Sequence, residues 1–325
     1  MKATPLLGFL AFGVVGCRSA PIPESQWYPA GTNLQAKYVT VQGTRIRYVE
    51  SGAGPTVVLL HGLGASIYTW RDVIGPVATA GFHVVAFDNR GFGGSDRPTS
   101  GYSAGDYASL AVAFLDSLHL SDVVLVGHSM GGEIAALATL KDPSNIRGLV
   151  LIDAAGLGTH LPLLTRLARA PLVGHVIAGL RGRSGVERAL RSTFGVPSRV
   201  TQDEVDQYYA PVAMPDFGRT LAGVAREFDF SALKGRLDSI AKPTLVVWGS
   251  RDIWIPPGIG ERMTASLQRA AFVLVPGVGH DLPDEDPAAL LRSLIPFLQQ
   301  GIPQTPPNVA ILGIDINQQV DKLEQ

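Results

Sequence analysis

The chain has 325 residues, 46% of them hydrophobic and 17% charged, enough to bury one large core with an insertion or two small ones. Its 27 lysines and arginines nearly cancel its 28 aspartates and glutamates, with neither a basic block nor an acidic tail. That balance argues against nucleic acid as a partner and against purely electrostatic docking on a membrane.

The first residues follow a pattern of their own. Met1-Lys2 precedes an apolar run over residues 5–16, and Cys17, the single cysteine, follows it. A short positive end, an apolar stretch and small residues before a boundary make residues 1–16 a signal peptide. The run falls short of the ~20 apolar residues that a spanning helix needs. Val14-Val15-Gly16-Cys17 resembles a bacterial lipobox. The resemblance implies cleavage before Cys17, lipidation of its thiol and anchoring to a membrane of the bacterial cell envelope. The alternative is an ordinary signal peptide and a periplasmic or secreted product. Residues 17–35, rich in Pro, Gly, Ser and Ala, read as a tether.

From there the pattern becomes regular. Residues 38–41 and 46–49 alternate around Gln42-Gly43, as a hairpin with one wet face does. Residues 56–60, 83–87, 123–126, 148–152, 244–248 and 272–275 are short apolar runs. Such runs suit strands covered on both faces, hence a mostly parallel sheet of eight strands with the hairpin. Helical segments at 67–80, 104–118, 130–140, 258–268 and 287–299 separate them, the alternation of a doubly wound α/β fold. The alternation stops over residues 154–241, where segments 161–180, 185–194, 202–209 and 218–228 are helix-compatible. This is a helical cap inserted between core segments 36–153 and 242–300. Residues 301–325 form a breaker-rich tail.

The apolar run from Val123 breaks into Gly127-His128-Ser129-Met130-Gly131 and then a helix. That strand–turn–helix context is the one a G-x-S-x-G nucleophile elbow requires. The turn lifts the hydroxyl of Ser129 to the carboxyl edge of the sheet, beside the backbone N–H of Met130 at a helix start. A serine hydroxyl needs a base. His280 follows the last apolar run, and Asp252 follows the run before it. Both lie at carboxyl ends of strands, where sites in open α/β sheets gather. Asp153, at the end of residues 148–152, is the alternative acid. His61-Gly62-Leu63-Gly64, directly after residues 56–60, can aim a second N–H at a developing oxyanion.

Together with Asp88-Asn89-Arg90-Gly91-Phe92-Gly93-Gly94-Ser95 and Gly131-Gly132, these motifs make residues 38–298 resemble the α/β-hydrolase superfamily. The resemblance is to its capped branch of esterases, haloperoxidase-like and epoxide-hydrolase-like proteins. It implies oxyanion donors at the N–H groups of Leu63 and Met130. It also implies that a serine nucleophile forms an acyl-enzyme, whereas members that open epoxides or displace halide use aspartate. A carboxylic ester with a small to medium apolar acyl group is the expected small-molecule substrate. Carbon–carbon hydrolysis of ring-cleavage products and haloperoxidase-like perhydrolysis are the enzymatic alternatives, and an envelope binding module on a hydrolase fold is the non-enzymatic one. Trp70, Phe92, Met214 and Trp254 are candidate pocket walls. His61 reads as an organiser of its loop and His128 as packing beneath the serine. No His, Cys, Asp or Glu cluster has metal-ligand spacing, and no cofactor is expected.

Overall fold

The computed structural model describes residues 20–158, 182–301 and 310–311. The expected signal peptide and Cys17, the helix expected at 161–180 and most of the tail lie outside them. Eight strands form the expected sheet: β1 (Lys37–Val41), β2 (Thr44–Ser51), β3 (Thr56–Leu60), β4 (His83–Phe87), β5 (Val123–His128), β6 (Ile146–Ile152), β7 (Thr244–Gly249) and β8 (Ala270–Val275). A two-residue strand, β9 (Ala310–Ile311), adds a ninth at one edge. The order is β1-β2-β4-β3-β5-β6-β7-β8-β9, with β2 antiparallel to both of its neighbours and every other pairing parallel.

The helices are α1 (Arg71–Thr79), α2 (Ala104–Ser117), α3 (Met130–Lys141), α4 (Arg183–Thr193), α5 (Gln202–Val212), α6 (Phe217–Glu227), α7 (Gly258–Ser266), α8 (Leu282–Glu285) and α9 (Pro287–Gln300). Successive strand residues point to opposite faces, so β3 sends Val58 and Leu60 into one core and Val57 and Leu59 into the other. The first core lies under α2, α3, α7 and the cap helices α4–α6; the second lies under α1 and α9. All six residues of β5 and of β7 are buried, which is why their sequences show no alternation.

Several expectations are corrected in detail. Residues 67–80 are not one helix, because a 3₁₀ turn (Ile67–Trp70), capped by the Ser66 hydroxyl on Tyr68 N, precedes α1. Helix 258–268 ends at Ser266, where Leu267 turns extended. The loop after the last expected strand holds α8, ended by Asp286, whose carboxylate caps α9 by accepting from Ala289 N.

The tether reading of residues 17–35 fails from Ile22 onward. Residues Glu24–Gln26 form a 3₁₀ turn, and Trp27 and Tyr28 are buried. Trp27 Nε1 donates to Ile22 O, the side chain of Gln207 on α5 bonds both Gln26 O and Tyr28 N, and Arg47 donates to Tyr28 O. Two adjacent aromatics gain more by burying their area than a breaker-rich stretch loses in freedom.

Candidate active site

β5 ends at His128, and α3 starts at Met130, so Ser129 makes the whole turn by itself. It does so at φ 53° and ψ −120°, a left-handed conformation costing a non-glycine residue about 1–2 kcal/mol. The flanking glycines serve close approach. A Cβ on Gly127 would lie 2.3 Å from Gly131 O, and one on Gly131 would lie 2.2 Å from Leu60 O. The strand and helix that hold the serine are therefore packed backbone against backbone.

Ser129 Oγ lies 2.9 Å from His280 Nε2, and His280 Nδ1 lies 2.8 Å from Asp252 Oδ2. The other oxygen of Asp252 accepts from Trp254 N and Ile255 N, both at 2.8 Å, so the carboxylate is fixed before it meets the imidazole. A carboxylate only accepts, so His280 carries its proton on Nδ1 and turns the Nε2 lone pair to the serine hydroxyl. Burial works against the imidazolium, but the charge and hydrogen bond of Asp252, aided by Asp281, outweigh it and raise the pKa of His280.

The loop after β3 closes the other side of the serine. Gly62 approaches so closely that a Cβ on it would lie 3.1 Å from Ser129 Cβ. His61 Nδ1–H donates to Gly62 O at 2.8 Å, and its Nε2 accepts from Asn89 N at 2.9 Å. Burial lowers its pKa and keeps it neutral, so it organises the loop and carries no charge. In a planar trans peptide, fixing Gly62 C=O towards His61 turns the Leu63 N–H the other way. Met130 N, in the first turn of α3, is one of the donors that a helix leaves without an intrahelical partner.

A profile of the alpha/beta hydrolase fold family matches residues 55–287. The chain belongs to this family. A 2-hydroxy-6-oxononadienedioate/2-hydroxy-6-oxononatrienedioate hydrolase of Cupriavidus pinatubonensis is 30% identical over 83% of this chain and 96% of its own. The hydrolase YugF of Bacillus subtilis is 26% identical over 80% of this chain and 96% of its own. Among solved structures, a membrane phospholipase A described as a bacterial virulence factor superposes with a TM-score of 0.70 at 28% identity, over 82% of this chain and 86% of that one.

The other expected site residues of this hydrolase divide. Asp153 is wholly buried and does not reach His280: its Oδ1 accepts from Gly249 N at 2.8 Å. Burial and the neighbouring charge of Asp252 push its carboxyl well above the usual range, so it is a neutral brace at the end of β7 and not the paired acid. Trp254 stacks on the His280 ring, with centroids 6.0 Å apart at 12°. Phe92 meets His61 edge-on and touches Phe217 of the cap. Trp70 is corrected, because it is wholly buried in the core under α1 and α9. Met214 is corrected too: it lines a polar surface cleft of about 260 Å³ with Trp27, Arg45 and Arg97 among others, a lining that excludes Ser129 and His280.

Sequence reasoning underrated His128. Its Nε2–H donates to His280 O at 2.8 Å, so it holds the backbone of the histidine as well as packing under the serine. Burial, then the proximity of His280, lower its pKa to about 3, and it stays neutral. The acidic run Asp281, Asp284 and Glu285 was also missed. Its signal was three carboxylates within five residues of His280, more than solvent exposure of a loop explains.

Proposed function

We propose that the protein is a serine hydrolase that cleaves carboxylic esters with small to medium apolar acyl groups. The observation that carries this reading is the continuous hydrogen-bonded line from Ser129 Oγ through His280 to Asp252. Ser129 Oγ attacks the ester carbon as its proton passes to His280 Nε2. The carbonyl oxygen becomes an oxyanion held by the N–H groups of Leu63 and Met130, each worth about 3 kcal/mol. His280 returns the proton to the departing alkoxide as the C–O bond breaks, leaving acyl-Ser129. Water, deprotonated by the same histidine, then attacks that ester; His280 returns the proton to Ser129 Oγ as the acyl C–O bond breaks, and the acid leaves. Likeness to a membrane phospholipase A supports an ester as the substrate. Carbon–carbon hydrolysis is the second reading, supported by the 30% identical dienedioate hydrolase.

Purified protein should hydrolyse p-nitrophenyl acetate and butyrate faster than it bleaches a ring-cleavage dienoate, and a fluorophosphonate should label Ser129. His280 must be neutral to accept a proton, so activity is lost as pH falls through its folded pKa. Because that pKa is raised, the acid limb of kcat/KM should have its midpoint above 6.5. No labelling and no ester turnover by folded protein would refute the reading.

The proposal extends to the N-terminus, with Cys17 carrying the lipid that holds the enzyme to an envelope membrane; two or more acyl chains suffice for stable anchoring. Mass spectrometry of the mature N-terminal peptide should find Cys17 first and acylated, and an unmodified internal thiol would exclude it.

A further inference from the structure

The cap is bonded to the loop that bears His280 through main-chain and side-chain groups together. Thr193 O, at the end of α4, accepts from His280 N at 2.6 Å and from Asp281 N at 3.4 Å. Thr193 Oγ1 donates to Asp281 Oδ2 at 2.5 Å. Glu285, buried on α8, receives three backbone amides: Gly195 N at 2.7 Å and Val196 N at 2.8 Å from the cap, and Gly279 N at 2.7 Å from the histidine loop. The two backbones touch so closely that a Cβ on Gly279 would lie 2.2 Å from Thr193 O, and one on Gly195 2.5 Å from Gly277 O. The same cap stretch reaches the Asp252 loop, since Trp254 Nε1 donates to Ser192 O at 3.2 Å.

We propose that residues 192–196 of the cap and Glu285 form a clasp that sets the position of His280, with Glu285 and Thr193 as positioning residues for the base. The inference rests on the serine-hydrolase reading for its kinetic consequence only. His280 follows β8 by five residues and has no strand or helix of its own to fix it. Its N–H is taken by Thr193 and its C=O by His128, so its peptide groups are held from the cap above and from β5 below. Charge-assisted bonds from a carboxylate to backbone N–H groups are the strong ones, and Glu285 ties the two loops through a single group. A displacement of the base near 1 Å costs roughly 100-fold in rate. The cap thus belongs to the catalytic frame along this edge.

The test is Glu285→Gln, which keeps the size of the side chain but sets an NH₂ group against a backbone N–H. The charged or titratable groups around His280 are Asp252 with Asp153 behind it, Asp281, His128 and, one residue away through Gly279, Glu285 itself, which Arg199 faces at 3.8 Å. Expected are a fall in kcat of roughly 10- to 100-fold, a KM within about threefold of wild type, and a lower midpoint for the His280 imidazole titration followed by NMR, as its contact with Asp252 loosens. Thr193→Val should shift kcat and midpoint in the same direction, and Thr193→Ser should restore both; this pair decides the matter if Glu285→Gln does not fold. A folded variant with wild-type kcat and an unmoved midpoint overturns the clasp. Inactivity of the wild type would overturn the hydrolase reading instead, while the titration would still report on the clasp.

Discussion

Ser129→Ala should reduce ester turnover by roughly 10⁴- to 10⁶-fold in kcat and leave the protein folded with a near-normal KM. The loss is expected to be this large because the three side chains act as a unit: without the oxygen, His280 has no proton to take and Asp252 orients a base with no task. Stability should barely change. Among the described residues the Ser129 side chain bonds His280 alone, and the left-handed backbone at φ 53° strains alanine as it strains serine. The measurement is p-nitrophenyl butyrate hydrolysis beside a thermal melt. An alanine variant that kept a tenth of wild-type turnover would place the chemistry elsewhere.

The second large effect separates two aspartates. Asp252→Asn should lower kcat about 10⁴-fold, because an amide NH₂ facing Nδ1 favours the tautomer that carries its proton on Nε2, pointing at the serine hydroxyl with nothing to accept. The two backbone bonds to Oδ1 keep the side chain in place, so the variant should melt close to wild type. Asp153→Asn should change kcat by less than about threefold. Burial already holds that carboxyl neutral, and asparagine presents the same acceptor to Gly249 N. A large loss in Asp153→Asn with a small one in Asp252→Asn would reverse the assignment.

What the sequence announced and what it hid follow from the range of the interactions. The six apolar runs were legible because a strand buried on both faces must be apolar throughout, and Ser129 because its strained turn demands small neighbours. The choice between Asp153 and Asp252 was open for a structural reason: β6, which Asp153 directly follows, lies next to both β5 and β7, so either acid reaches the same edge. What decides it is a pair of backbone amides, Trp254 N and Ile255 N, which no side-chain pattern records. Periodicity does not say which face of the sheet an aromatic residue serves, hence Trp70 in the wrong core. The clasp was hidden for a related reason, being built of main-chain groups distant in the chain, with one glutamate bonding a backbone amide 90 residues away.

The docked N-terminal segment fixes one more thing. On the proposal of an acylated Cys17, five residues separate the lipid from Ile22, whose carbonyl accepts from Trp27. Five residues reach at most about 17 Å when fully drawn out, less than the ~19 Å radius of gyration of a body of some 300 residues. An enzyme moored so short does not tumble above the lipid. On that proposal it would ride with the flank that carries Trp27 turned to the bilayer and meet its substrates at a set height and tilt.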